Sequence, residues 1–203
     1  MQLPDVEQTL RAIRAPPTGH RADGTPVYAL PVIVDHTRSS GTPEIVVGAG
    51  RIAEYLDTRF PTRPAFPVGT RSVQMVFVHW MMQVWVRPVL AVMVPASYED
   101  LGDRSRNWVG PAGAVPRGGS GTRDQWEEVR RQFDFLAGVL DRGDGDGTVM
   151  MGNEVTYADF ALCSLLIWIK RVGPPGAWEM VRALNGGRWQ RLWDSCRGYM
   201  DEH

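Results

Sequence analysis

Three prolines, Pro61, Pro64 and Pro67, divide the chain into two stretches whose apolar residues follow different rules. Before them lie β-branched runs bounded by turn residues, the mark of strands; after them apolar residues recur only at helical spacing. Such a chain joins an α+β beginning to an all-helical remainder, and the proline segment is the natural boundary. The expected division is 1–67 and 68–203. The first part is small for an independent core and is expected to lean on the helices.

Val6, Leu10 and Ile13 share one helical face, and Pro16-Pro17 stops that helix. Asp23-Gly24 and Pro26 turn the chain into Val27 to Asp35, a strand run interrupted by Pro31. Proline has no N–H for a ladder, so the strand proper is placed at Val32 to Val34. Ser39 to Pro43 is a turn cluster, and Glu44 to Val47 forms a hairpin with the first strand. Gly48-Ala49-Gly50 ends it, and Ile52, Tyr55, Leu56 and Phe60 predict a helix over 51–60. Beyond the prolines, Arg71 to Val94 reads as one long helix bent at Pro88. Arg123 to Asp141 and Thr156 to Val172 are helices, the latter apolar on nearly every side, followed by two shorter ones over 177–184 and 188–200. Gly110 to Gly121 and Gly143 to Gly147 read as loops.

Charge narrows the classes of partner. The 203 residues carry 22 basic and 23 acidic side chains, a net charge of -1, so nucleic acid is not an expected partner. Two cysteines make neither a disulfide framework nor a zinc spacing, and no metal is expected. The first residues show no basic segment followed by an apolar one, so a cytoplasmic location is expected. Val73 to Val94 is long enough to span a bilayer, but Arg87 alone costs about 2.5 to 3.5 kcal/mol there, and Gln74, His79 and Gln83 add to it. A buried helix is the better reading, with no membrane partner.

Leu30 to Asp35, the hairpin after it, and Arg51-Ile52-Ala53-Glu54-Tyr55-Leu56-Asp57 with Phe60-Pro61 resemble the second half of the thioredoxin-like domain of cytosolic glutathione S-transferases. Gly152 to Phe160 is similar to that family's capping box, with Thr156 capping a core helix and Asp159 capping back. Finer details, Ala15-Pro16-Pro17-Thr18 and Asp23-Gly24 among them, look most like fungal transferases of the ustiloxin-cluster type and, more distantly, bacterial β-etherases. The resemblance implies a partial thioredoxin-like domain followed by a transferase helical bundle. It implies glutathione as co-substrate, no metal, and a small apolar or aromatic electrophile as second substrate, in a role such as fungal secondary metabolism.

It also implies roles for particular residues. The proline at Pro31 is cis in such proteins and turns the backbone of Val32 toward the cysteinyl part of glutathione. The acidic residue and serine that hold the γ-glutamyl group fall on Gly48 and Ala49 here, leaving only main-chain N–H groups at that helix start. The family's first strand and helix, with the residue that activates the thiol, have no counterpart before Val27, so no catalytic residue is named. An enzyme is the leading expectation, and a catalytically inactive transferase-fold protein that binds ligands or dimerises is the alternative. A second copy of the chain is an expected partner, since an incomplete sheet leaves an edge that invites pairing.

Other constellations stand without the family. His79, Gln83 and Arg87 lie four residues apart and form a polar stripe that either faces solvent or borders the second-substrate cleft. Eight tryptophans all fall in the helical part, most as core and some as candidates for an aromatic pocket. Cys163 reads as inert packing, and Cys196 beside Arg197 as the better reactive thiol. Asp141, Asp144 and Asp146 lack the closing glutamate of a calcium loop, and His20 and His36 find no partners at nucleophile or metal spacing.

Overall fold

The structure is a computed structural model that describes residues 2–37, 41–109, 123–143 and 145–200. The loop expected at 110–121 and residues Ser39, Ser40 and Asp144 lie outside that set. Two compact units emerge. Residues up to Pro64, joined by a helix over Asp103–Val109, form one; Ala65–Leu101 and the helices from Arg123 onward form the other.

The first unit opens with α1 (Leu3–Ala12), whose Pro4 sits in the first turn, where a missing N–H costs nothing. Two short strands follow, β1 (Gly19–His20) and β2 (Pro26–Val27), paired antiparallel around a turn in which Gly24 takes φ +83°. The sequence reads Val27 to Asp35 as one interrupted strand, but the chain divides it between two sheets. β2 ends at Val27, and β3 (Val32–Asp35) starts only after Pro31, pairing with β4 (Glu44–Val47) from Val32 opposite Val47 to Asp35 opposite Glu44. Proline's missing N–H explains the interruption. α2 (Ala49–Arg59) packs back on this hairpin.

Leu10, Ala15 and Val47 form the buried centre of the unit, with Val6, Tyr28, Val32 and Ile45 packed around them. α5 (Asp103–Val109) was not foreseen, because its sequence has no apolar period. It packs on α1, and Arg104 pairs with Asp5 at 2.7 Å.

The second unit is helical. α3 (Arg71–Trp80) runs into a π turn (Met81–Trp85), closed by the Val86 N–H donating to the Met81 carbonyl at 2.9 Å, and α4 (Arg87–Asp100) follows. The axes before and after differ by 68°. The expected single helix bent at Pro88 is therefore corrected: the break precedes the proline, which sits in the first turn of α4, where it displaces no hydrogen bond. The wider turn buries Met81 and Trp85 completely and delivers the Trp85 indole N–H to the Gln132 carbonyl at 2.8 Å.

α6 (Arg123–Leu140), the central α7 (Tyr157–Val172) and α8 (Ala177–Cys196) complete the unit. α8 is broken where Asn185, Gly186 and Gly187 adopt left-handed backbone, so it behaves as the two shorter helices read from sequence. Trp85, Phe133 and Trp189 meet edge-on in the core at 4.8 and 4.9 Å. Among the described residues no single helix is long and apolar enough to cross a membrane. The bent pair Arg71–Trp85 with Arg87–Asp100 passes by length and composition only together, and its Met81, Trp85, Val89 and Met93 are core residues.

Candidate functional site

Hydrogen bonding alternates along an antiparallel pair, so every second residue of an edge strand turns its main-chain groups outward. Gly48 donates its N–H to the Pro31 carbonyl at 3.0 Å, making these two a bonded pair. Val32 and Val47, next in register, are then the non-bonded pair, and the Val32 N–H and C=O point away from β4. Among the described residues no strand occupies that edge. The Leu30–Pro31 peptide is cis, and Leu30, just before it, makes no main-chain hydrogen bond to any described residue. Its side chain is 54% exposed, whereas the Val32 side chain packs against the small core of the unit.

Gly48 brings the chain from this strand pair into α2. Its φ of +87° suits glycine, and its N–H is already taken by Pro31, so it has none left for a ligand. Ile52 is the first residue to bond back into the helix, through the Gly48 carbonyl. The N–H groups of Ala49, Gly50 and Arg51 therefore lie at an uncapped helix start with no acidic residue in its first turn. The exposed Arg51 adds positive charge to the positive end of the helix dipole, a combination that favours an anion.

The far end of α2 is tied to the same strand. Asp35 accepts from the Tyr55 hydroxyl at 2.5 Å, the Thr37 N–H at 2.7 Å and the Thr37 hydroxyl at 2.6 Å, and Arg59 stands 4.0 Å away. The Thr37 hydroxyl, with Tyr55 and the Thr37 main chain, holds the Asp35 carboxyl down at about 2. This lattice, which the sequence did not signal, fixes the helix whose start carries the uncapped N–H groups.

In the helical unit His79, Gln83 and Arg87 are all exposed. His79 lies in the last turn of α3, Gln83 in the π turn, and Arg87 begins α4, so the 68° bend falls within the stripe. Cavities of about 530 and about 630 Å³ open in this unit, the first by Glu99 and Arg171, the second by Thr70 and Arg142. Neither is lined by His79, Gln83 or Arg87. Among the described residues no cluster of three potential metal ligands exists.

At the start of α7, Asp159 accepts from the Thr156 N–H and hydroxyl, both at 2.8 Å, and from the Met150 N–H at 2.7 Å. Burial pushes the Asp159 carboxyl up, and these hydrogen bonds hold it back. Gln74, buried on α3, was seen in the sequence only as a polar interruption. It accepts from the Ala158 N–H and donates to the Thr70 hydroxyl, both at 2.9 Å. Cys196, read as the more reactive thiol, is buried at 1% exposure, and Cys163 at 2%.

Comparison with known proteins gives one consistent picture. The family model described as Glutathione S-transferase, C-terminal domain matches residues 72–199, more than half of the chain. A glutathione S-transferase-like protein of Aspergillus flavus, ustS, is 24% identical over 98% of this chain and 76% of its own length. The crystal structure of glutathione transferase GSTFuA2 from Phanerochaete chrysosporium superposes with a TM-score of 0.86 at 27% identity, covering 100% of this chain and 83% of that one. The glutathione S-transferase CsGST63524 of Ceriporiopsis subvermispora, solved in complex with glutathione, gives 0.86 at 28% identity, over 100% and 84%.

Proposed function

The chain belongs to the glutathione S-transferase family, and on that premise we propose that it binds glutathione on the open edge of β3 and conjugates it to a small apolar or aromatic electrophile. The observation that carries this is the outward-facing backbone of Val32 beside Pro31, adjoined by the main chain of Leu30, which bonds to no other main chain among the described residues. A tripeptide laid along that edge pairs its cysteinyl N–H and C=O as an added strand does. Its γ-glutamyl carboxylate is held at the start of α2 by the N–H groups of Ala49 and Gly50, with Arg51 nearby, while Gly48 shapes the turn. His79, Gln83 and Arg87 are proposed to meet the second substrate. Nucleophilic attack by the glutathione thiolate on that substrate is the proposed step, and the chain works in the cytoplasm, within fungal secondary metabolism, as a pair of copies.

A second reading has a specific observation in its favour. The start of α2 offers main-chain N–H groups and Arg51 to a carboxylate but no side-chain carboxylate to an ammonium, so the amino end of glutathione gains nothing there. Weakened binding of this kind fits a transferase-fold protein that holds ligands or pairs with itself without turnover.

Calorimetric titration with reduced glutathione tests both. Saturable binding at micromolar to low millimolar Kd, about -4 to -8 kcal/mol, is expected, with loss of binding in Val32→Pro at unchanged far-UV circular dichroism. Thioether formation with an activated chloroarene then separates enzyme from binding protein. Binding without turnover selects the second reading, and no heat at all removes the glutathione site.

A further inference from the structure

α7 runs antiparallel to the part of α8 that follows the break at Asn185–Gly187, as two contacts show. Phe160, early in α7, meets Tyr199, just past α8, edge-on with centroids 5.0 Å apart, and Lys170, late in α7, lies 4.2 Å from the ring centre of Trp193. Stepping three residues inward from Phe160 on one helix and from Tyr199 on the other places Cys163 opposite Cys196. Both thiols are buried in one apolar cluster. Two cysteines that face each other across packed antiparallel helices can be joined by a disulfide once their Cα atoms lie within about 7 Å.

We propose that Cys163 and Cys196 are a peroxide-oxidisable pair that closes a disulfide between α7 and α8, a modification site separate from the glutathione site. The neighbouring Cys163 thiol favours the Cys196 thiolate, while Cys196 and burial push the Cys163 thiol up, so the first attack is assigned to Cys196. Its sulfur attacks one oxygen of hydrogen peroxide, the O–O bond breaks, and water leaves, giving Cys196 sulfenic acid. The Cys163 sulfur then attacks the Cys196 sulfur, the S–O bond breaks, and the Cys163 proton leaves with the departing oxygen as a second water. Peroxide is reduced by two electrons and the two thiols are oxidised by two. Burial restricts the oxidant to a small hydroperoxide and slows its entry, since a reactive thiol ordinarily needs exposure.

The test treats the full chain with hydrogen peroxide, quenches in acid, unfolds it and alkylates free thiols before non-reducing peptide mapping. The expected result is joint loss of both alkylatable cysteines, one peptide linking Cys163 to Cys196 within a chain, and recovery of both on dithiothreitol. Cys163→Ser is expected to trap sulfenic acid on Cys196, detected with dimedone, without the link. Two cysteines that stay alkylatable, that advance independently to sulfinic acid, or that link only between chains would overturn the proposal. The wild-type map decides whether or not the variant folds.

Discussion

Asp35 gains its hydrogen bonds only in the folded chain, and its carboxyl falls from the ordinary 3.8 to about 2. The unfolded chain therefore binds that proton more tightly, so the contribution is fully present above pH 3.8 and lost as pH falls toward about 2. Asp35→Asn is expected to lower Tm at neutral pH and to flatten the acid limb in that window. Thermal melts against pH check this, and parallel curves for variant and wild type would refute it. Gln74 gives a second case. Gln74→Leu leaves the Ala158 N–H buried without its acceptor, at a cost of about 1 to 3 kcal/mol in urea unfolding. Neither residue was legible beforehand for what it does. Tyr55 lies 20 positions from Asp35 and Ala158 lies 84 from Gln74, and no local pattern encodes such pairings.

Elements were legible where their signals are local. Thr156 and Asp159 stand three apart and mark the start of α7 in the sequence itself, and Asn185-Gly186-Gly187 marks the interruption of α8. The π turn was not, because its signal is the burial demand of Met81 and Trp85, which depends on α6 lying alongside. The division of Val27 to Asp35 between two sheets escaped for a similar reason, since β2 is defined by its partner β1 rather than by its own residues. Glycines with positive φ allow a graded test of the loops and breaks. At Gly186, φ is +65° with open space around a new Cβ, so Gly186→Ala is expected to cost about 1 to 2 kcal/mol. At Gly147, φ is +71° and a Cβ would meet Arg188 Nη1 at 2.6 Å. That guanidinium is bonded to the Gly147 carbonyl and the Asp141 carboxylate, and cannot retreat freely. Gly147→Ala is expected to lose more than Gly186→Ala in chemical denaturation, and the reverse order would refute the role given to Arg188.

The change from strand to helical patterning is a property of long stretches, which is why the α+β-then-helical architecture was legible when the edge proposed for glutathione was legible only through resemblance. Exposed apolar area also belongs to this scale, because its meaning depends on what covers it. Val73 and Val76 on α3 and Phe135 and Val139 on α6 are each more than two-fifths exposed, around Trp80, whose ring lies 5.9 Å from those of Phe77 and Phe135. Soluble chains seldom leave so many large apolar side chains together in water. If a second copy covers this face, as in the pairing proposed above, each partner has to bury about 800 Å² for a stable contact. The charge substitutions Val76→Glu and Phe135→Glu, 69% and 57% exposed, disturb little within one chain but place carboxylates at the centre of such a contact. Sedimentation velocity is expected to show a dimer for the wild type and a monomer for the double variant, with Tm lowered only as far as the lost pairing requires. A wild type that sediments as a monomer, or a double variant that remains a dimer, would remove this face as the pairing surface.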